Sequence, residues 1–502
     1  MNSIVKNAVV LYGRLFITMA LSLYASRLVL KALGIEDFGI YNVVGSIVTM
    51  FSFINNAMAF TTQRFVSFEL GKKKSGNVSS VFSMSVNIHI IMGIVILLIA
   101  YVVGAWFINN KLSLPYDRLD SAIIVFNISL ITFFFNFIST PYYGAMIAFE
   151  KFTVIAWIGI AESFLRLFVV MILFYSEGVD LLVFYSILYA IITILSKISQ
   201  VLYCHYNIKP VKYIFEWSWE ISKNICSFSS WSLIGNIAAI LMNQGVNILL
   251  NIFFGPTINA ARAISMQVQT AVNQFATSLQ MVFNPKIIKS YSSDDLGDMR
   301  QIVYYGSKYS YFMMLILSMP IIFNTDYILT LWLGNYPEKS DVFVQLMLIN
   351  LMINSISSTL ITSVSATGRI ALYQSVVGGI LLLNIPISYL LLKSGIQPEI
   401  TIVVTISLSL ITLIARLFFA EKIIGSMVKN FMIIVILRVF LVTTLSCAVL
   451  FKFNVSATSY YQLFINLIIS ISIVLLSIII LGMGKVEIFY IRNKLTKILS
   501  DK

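Results

Sequence analysis

The run LGIEDFGIY at residues 33–41 lies between the first two apolar segments of the chain and opens a stretch that recurs later. From Gly34 to Ser85 this stretch can be laid over Gly255 to Gly306 without a gap, at an offset of about 221 residues. In this register the two opening glycines coincide, and both copies resume an apolar run after a polar loop. The pattern predicts an internally duplicated membrane protein.

The composition supports a membrane protein independently. Hydrophobic residues make up 59% of the 502 positions and charged residues only 11%, which lies outside the range of soluble globular chains. The apolar segments are roughly 20 residues long, enough to cross about 30 Å of hydrocarbon as helices, whereas a β-barrel would show short alternating segments. We therefore expect an all-α, polytopic protein of about fourteen transmembrane helices, near residues 9–33, 38–62, 80–107, 119–141, 154–175, 181–204, 230–253, 258–283, 302–323, 342–365, 372–393, 399–420, 432–452 and 461–482.

Lysines and arginines fall unevenly on the two sides of these spans. If the amino terminus is inside, the outer loops keep only Lys31, Lys111, Arg118, Lys339, Lys393 and Lys452. The inner loops then hold Arg64, Lys72, Lys73, Lys74, Lys151, Lys209, Lys212, Lys223, Lys286, Lys289, Arg300, Arg369, Lys422, Lys429 and the tail at 485–502. Because cytoplasmic loops carry the excess of basic residues, both termini are predicted to be cytoplasmic. The net charge of +13 then needs no nucleic acid partner to explain it.

The repeat also predicts the domain organisation. Glu150–Lys151 and the helix after it align with Gly368–Arg369 and its following helix, at an offset of about 218 residues. Two lobes of about six helices follow, at 1–208 and 230–430. A tryptophan-containing interfacial linker at 209–229 joins them. Residues 431–502, with two helices and a cytoplasmic tail, have no counterpart in the first lobe.

Several chemistries have no support in the sequence. The three cysteines are widely spaced and the chain has only two histidines, so neither a disulfide framework nor a metal site is indicated. No nucleotide-binding motif is present, and no long soluble insertion could hold catalytic residues. We expect no catalytic residue, no cofactor and no metal, and an ATP-driven pump would need a separate ATPase subunit.

Short motifs carry a family resemblance across nearly the whole chain. They are Ser26–Arg27, the run at 33–41, Thr62–Gln63–Arg64–Phe65 and Ala366–Thr367–Gly368–Arg369. Together they resemble the oligosaccharide-lipid flippases of the multidrug/oligosaccharidyl-lipid/polysaccharide exporter superfamily, of the bacterial O-antigen and capsule repeat-unit type. The resemblance implies that an undecaprenyl-diphosphate-linked oligosaccharide is moved from the cytoplasmic to the outer leaflet of the bacterial inner membrane by alternating access. It also implies membrane lipids and the polysaccharide polymerase machinery as partners, and no bond-making chemistry.

A polar stripe on the predicted eighth helix is the first candidate site. At 100° per residue Asn259, Arg262, Gln269 and Asn273 share one narrow face, and Asn243 and Asn247 do the same on the seventh helix. A lipid diphosphate and its sugars need cations and hydrogen-bonding groups, so these residues are predicted to line a hydrated cavity. The alternative is that the amides only join neighbouring helices.

Three arginines are candidate substrate contacts. Arg27 and Arg262 lie a turn or two from the outer surface, and related flippases are similar in placing arginines on their first and eighth helices inside the lipid-diphosphate cavity. The alternative for both is snorkelling to the membrane surface. Arg64 lies near the cytoplasmic end of the second helix, where it either anchors to headgroups or meets the substrate as it arrives.

Glu162 and Arg166 lie in the middle of the fifth helix, with the acid four residues before the base. This spacing predicts an intrahelical ion pair, which is a sufficient role in itself. The functional alternative is a site for H⁺ or Na⁺, at which protonation of the carboxylate would release Arg166 and couple transport to an ion gradient.

Other functions share parts of this pattern. A lipid II flippase differs only in the glycan moved. A cation-coupled multidrug antiporter could share the fold, but it would favour acids in the membrane, and the first helix has Arg14 and Arg27 with no carboxylate before Glu36. A membrane glycan polymerase would be expected to carry a large outer loop with catalytic residues, and the predicted outer loops of this sequence are short.

Overall fold

The computed structural model describes residues 2–49, 52–72, 77–110, 116–176, 178–425, 427–453, 457, 459–484 and 487. In this part of the chain all regular secondary structure is helical, without a β-strand, as the composition predicted. Its α-helices are α1 (Asn2–Thr49), α2 (Ser52–Gly71), α3 (Val78–Asn110), α4 (Leu119–Ala148), α5 (Phe152–Leu173), α6 (Leu181–Asn207), α7 (Trp219–Phe254), α8 (Pro256–Ser292), α9 (Leu296–Phe323), α10 (Thr325–Leu333), α11 (Ser340–Ala366), α12 (Ala371–Leu382), α13 (Asn384–Lys393), α14 (Ile400–Ile424), α15 (Val428–Phe431), α16 (Leu437–Lys452) and α17 (Tyr460–Ser477).

The described residues contain ten helices that are long and apolar enough to cross a membrane, or eleven if α9 and α10, which bend by 76°, form one span. A polytopic all-α protein is therefore confirmed, while the number fourteen stays a prediction. Three predicted spans are not among these helices. The spans at 9–33, 38–62 and 258–283 fall on α1, on α1 with α2, and on α8, respectively. Large apolar side chains such as Leu98, Val102 and Phe440 lie exposed, as they would against lipid.

The two opening glycines of the repeat share a positive backbone φ. Gly34 bends α1 with a φ of 79°, and Gly255 separates α7 from α8 with a φ of 76°. Side chains strongly disfavour this left-handed region, so glycine is the residue that allows the chain to break at both points. The agreement supports the register in which these two residues are equivalent.

The chain divides into two compact units. Unit 1 comprises Met1–Asn236 and Asn284–Asp295, and unit 2 comprises Ile237–Phe283 and Leu296–Lys502. Consequently α7 begins in unit 1 and ends in unit 2, while the last turns of α8 belong to unit 1. The lobe boundaries predicted from the repeat, with a linker at 209–229 and a separate segment at 431–502, stay predictions.

The end of α8 is held in unit 1 by close backbone packing and by ion pairs at the surface. Ile287 is fully buried, and Lys289 Nζ lies 3.2 Å from Glu150 Oε1. A methyl group on Gly71 would come within 2.4 Å of the Lys289 carbonyl oxygen, so α2 can end against α8 only through a glycine.

Unit 2 buries an ion pair that joins α9 to the chain beyond α17. Lys308 is 0% exposed, and its Nζ lies 2.6 and 2.8 Å from the two carboxylate oxygens of Glu487. Tyr309 donates a further hydrogen bond to the same carboxylate, and Arg438 of α16 lies 3.2 Å from it. Lys308 and Arg438 also donate to the Gly482 carbonyl at the end of a π-helical turn. The Lys308 ammonium group therefore has both a counter-charge, which Arg438 shares, and a carbonyl acceptor.

Candidate substrate-binding site

The α7–α8 junction of unit 2 brings amides and a cation together. Because Gly255 turns the chain sharply and Pro256 suits the first position of a helix, α8 starts directly beside the end of α7. The Asn259 side chain donates a hydrogen bond across this junction to the Asn247 main-chain oxygen, at 3.0 Å. The two stripes predicted on separate helices thus meet at their near ends.

Arg262 lies one turn further along α8 and is only 2% exposed. Its Nη2 lies 3.4 Å from the Asn243 side-chain oxygen and 3.5 Å from the Asn243 main-chain oxygen, which are long distances for hydrogen bonds. The Asn243 side-chain amide is oriented by its own bond of 3.0 Å to the Ala239 carbonyl. Asn243 therefore presents its oxygen to Arg262, but the contact is weak.

The remaining polar atoms at this place have no hydrogen-bonding partner among the described residues. They are Nε and Nη1 of Arg262 and Oδ1 of Asn259, all three buried. The sequence has no acid between Glu220 and Asp294, so neither α7 beyond its first turn nor α8 can supply a carboxylate. A buried cation without an acid and with unused donors is costly unless an anionic ligand completes it.

Two further predicted residues of the stripe lie deeper along α8. Gln269 and Asn273 are half-buried, and in the part of the chain that the structure describes neither side-chain amide makes a hydrogen bond. They lie about two and three turns beyond Arg262, at 1.5 Å rise per residue, and do not bond to it. Their amides remain available along the same face, and their role in binding stays a prediction.

The other predicted arginines have different surroundings. Arg64 is buried in unit 1, and its guanidinium lies 4.5 Å from the ring centroid of Phe65, 5.1 Å from that of Phe68 and 5.3 Å from that of Phe228. This aromatic packing stabilises the cation where it stands. Arg27 belongs to α1 before the bend, but its side chain lies outside the described residues.

Glu162 and Arg166 form the intrahelical ion pair that their spacing predicts, with Arg166 Nη2 donating to Glu162 Oε1. The second carboxylate oxygen accepts a hydrogen bond of 2.7 Å from Ser196 of α6. The Arg166 guanidinium also lies over the Tyr189 ring, 4.4 Å from its centroid. The sequence reasoning missed these contacts from α6, because the spacing within α5 carries no information about its neighbours.

A family model described as "Polysaccharide biosynthesis protein" matches residues 28–341. One relative, "Uncharacterized membrane protein EpsK" of Bacillus subtilis (strain 168), is 22% identical over 331 residues, which span 63% of this chain and 63% of that protein's length.

Solved transporter structures share the fold. An outward-facing multidrug resistance MATE family transporter of the MOP superfamily has a TM-score of 0.73 at 11% identity, over 85% of this chain and 96% of that one. A second structure is that of a MOP superfamily transporter from Pyrococcus furiosus, whose binding pocket is described as having reverse polarity. It has a TM-score of 0.69 at 13% identity, over 84% of this chain and 96% of that one. Because the family model matches more than half of the chain, the chain belongs to the polysaccharide biosynthesis protein family.

Proposed function

We propose that this protein is a flippase for undecaprenyl-diphosphate-linked oligosaccharide, an O-antigen or capsule repeat unit. It moves the substrate from the cytoplasmic to the outer leaflet of the bacterial inner membrane by alternating access, with both termini in the cytoplasm. The family match and the fold shared with solved transporters support this proposal. The substrate, the direction and the membrane are the proposal, and the polysaccharide polymerase machinery would take up the product.

The observation that carries the proposal is the state of Arg262. This side chain is buried, has two nitrogen atoms without a partner among the described residues, and faces no acid on α7 or α8. A diphosphate supplies negative charge and several acceptor oxygens, which match a guanidinium well. In this proposal Arg262 binds the diphosphate, with Arg27 and Arg64 as further contacts along its route.

The amides around Arg262 suit the other part of such a substrate. Asn243 contacts the cation, and Asn259, one turn before it on α8, bonds to Asn247, while Gln269 and Asn273 extend the same face of α8. Amide groups both donate and accept, so they can bind sugar hydroxyls in many patterns. We assign the diphosphate to Arg262 and the first sugars to these amides.

The coupling element in this proposal is Glu162. Protonation of its carboxylate, or its capture by Na⁺, would release Arg166, while Arg14 and Lys197 supply further positive charge to the same surroundings. Substitution Glu162→Gln is then expected to make transport insensitive to dissipation of the proton or sodium gradient. Transport by this variant that still stops when both gradients are dissipated would remove Glu162 from the coupling.

The sign of the charge separates this proposal from the multidrug antiporter alternative. Solved relatives include a multidrug transporter, so the fold alone admits that function. A cationic drug would be repelled by Arg262, and no acid between Glu220 and Asp294 could offset it. A lipid II flippase stays the nearer alternative, because lipid II carries the same diphosphate.

Depletion in the native host tests the proposal. We expect undecaprenyl-diphosphate-linked oligosaccharide to accumulate on the inner leaflet and surface polysaccharide to fall in parallel. Accumulation of lipid II alone would identify the alternative flippase. Unchanged lipid-linked glycans together with greater sensitivity to cationic dyes would overturn the proposal in favour of drug export.

A further inference from the structure

Unit 1 carries uncompensated positive charge among its helices. Of the acids that the structure describes in residues 1–207, only Glu162 lies in the middle of a helix; the others are near helix ends or in short connections, or beside the bend at Gly34. Three basic side chains, Arg14, Arg166 and Lys197, lie close to it. One carboxylate therefore faces three cations, and a net charge of this kind inside membrane-spanning helices is costly unless a ligand offsets it.

Each of the three cations comes from a different helix. Arg166 of α5 pairs directly with Glu162. The Arg14 guanidinium of α1 packs on Gly159, where an added methyl group would lie 2.7 Å from Arg14 Nε. Lys197 of α6 follows Ser196, which donates to the carboxylate, and it interacts electrostatically with the acid and with both arginines. Arg14 thus approaches α5 at the turn that carries Glu162.

The cluster has the components of a sugar acid site. The Arg166 guanidinium lies over the Tyr189 ring, 4.4 Å from its centroid. That ring's centroid is 5.9 Å from that of the buried Tyr185, which in turn lies 5.0 Å from that of Tyr41. Aromatic faces beside charged groups suit the apolar face of a sugar ring. The carboxylate side chain is 17% exposed and that of Arg166 is 35% exposed, so the ion pair can be reached from outside the unit.

We propose that Arg14, Arg166 and Lys197 form a binding site for the carboxylate of an acidic sugar, a uronate, in the transported glycan. The glycan as ligand rests on the proposed function above. In the structure Glu162 occupies this site as an internal carboxylate, held by Arg166 and Ser196. Arg166 Nε is buried and has no partner among the described residues, so it can donate to a second carboxylate. The occupied site would hold two carboxylates among three cations, which lowers the uncompensated charge from two to one.

This site differs in chemistry from that of Arg262. Its built-in occupant is a carboxylate and its wall is aromatic, whereas the Arg262 site has only amides beside the cation. We therefore assign the uronate to unit 1 and the diphosphate to unit 2. A repeat unit with an acidic sugar would use both sites, and a neutral repeat unit only the second.

Calorimetric titration of the purified full-length protein with glucuronate tests this proposal, with glucose as the neutral probe and inorganic phosphate as the second anion. We expect saturable binding of glucuronate and none of glucose. Glu162→Gln removes the internal competitor and should tighten glucuronate binding about tenfold, while Arg166→Gln should weaken it at least about tenfold. Ser196→Ala only loosens Glu162, so a tightening of about threefold is expected, and this variant serves if the first one does not fold.

Arg300→Gln, which alters a half-buried arginine outside both proposed sites, is the control and should leave glucuronate binding unchanged. Absence of glucuronate binding, or binding that Glu162→Gln weakens, would overturn the uronate site and show a structural ion pair. Phosphate binding that Arg166→Gln abolishes, together with no binding of glucuronate, would contradict the assigned ligand class. The titration uses no lipid and no gradient, so it is independent of the depletion experiment that tests the proposed function. Failure to bind glucuronate would overturn the uronate site alone, and unchanged lipid-linked glycan on depletion would overturn the flippase proposal alone.

Discussion

Two buried cations of unit 2 are treated in opposite ways. Lys308 is fully buried, and both oxygens of Glu487 lie within 2.8 Å of its nitrogen, with the Gly482 carbonyl at 3.2 Å. Arg262 is 2% exposed but has only two long contacts, both to Asn243, and two nitrogen atoms without a partner among the described residues. A cation that serves the fold is satisfied within the fold. A cation left incomplete at comparable burial points to a ligand that completes it.

The largest expected effect comes from removing the compensation of Lys308. Glu487→Gln leaves a buried ammonium group without its counter-charge, which typically costs about 3–5 kcal/mol of unfolding free energy. Thermal unfolding of the purified protein in detergent should show this as a large drop of the midpoint. The double variant Lys308→Met with Glu487→Gln is the control and should recover most of the loss. An unchanged midpoint in the single variant would contradict the structural role of this pair.

Removing Arg262 should have the opposite signature. We expect Arg262→Gln to reduce transport by about 100-fold, since charge-assisted bonds to the diphosphate worth about 3 kcal/mol disappear. Its thermal stability should stay the same or rise, because a buried uncompensated charge is removed. Arg300→Gln, which alters a half-buried arginine near the start of α9, is the matched control and should keep transport. Stability lost together with transport would place Arg262 with Lys308 as a structural residue.

Asn243→Asp sharpens the comparison by giving Arg262 a carboxylate of its own. The new acid would stand where the amide oxygen now lies, 3.4 Å from Nη2. We expect stability to rise by about 1–2 kcal/mol and transport to fall about tenfold, because the internal acid competes with the diphosphate. Thermal unfolding of the purified variant measures the change in stability, and the amount of lipid-linked oligosaccharide left on the inner leaflet measures transport. Asn243→Ala, which removes the amide without adding charge, should not raise stability.

The smallest effect is expected at the ion pair on the end of α8. Lys289 and Glu150 are both partly exposed, at 29% and 24%, and solvent weakens their attraction. Lys289→Gln should therefore change the unfolding free energy by less than about 1 kcal/mol. Chemical unfolding measured at low and high salt checks this, with the wild-type midpoint falling slightly as salt rises. A loss as large as that of Glu487→Gln would break the distinction between buried and exposed pairs.

The sequence predicted what depends on one helix or on repetition along the chain. The polytopic all-α fold follows from the long apolar segments, and the register that pairs Gly34 with Gly255 agrees with their common positive φ. The juxtaposition of Asn243 and Arg262 was within reach because α7 and α8 adjoin in the chain, so two polar stripes separated by a glycine turn must meet near that turn.

Contacts between helices far apart in the chain could not be predicted in this way. Lys308 and Glu487 are separated by nearly the whole of unit 2, and nothing in the periodicity of either helix indicates its partner. The meeting of Arg14 and Lys197 with Glu162 depends on how α1, α5 and α6 pack. A weak signal was present, since a lysine in the middle of the apolar α6 needs a counter-charge, and Glu162 lies in the middle of the neighbouring apolar segment α5.

Binding of undecaprenyl diphosphate to the purified protein, followed by native mass spectrometry, tests the role of Arg262 most directly. The wild-type protein is predicted to bind undecaprenyl diphosphate in preference to undecaprenyl monophosphate. Arg262→Gln should lose that preference, and Arg300→Gln should keep it. Equal binding of the diphosphate by the wild type and by Arg262→Gln would contradict the assignment of this buried cation to the substrate.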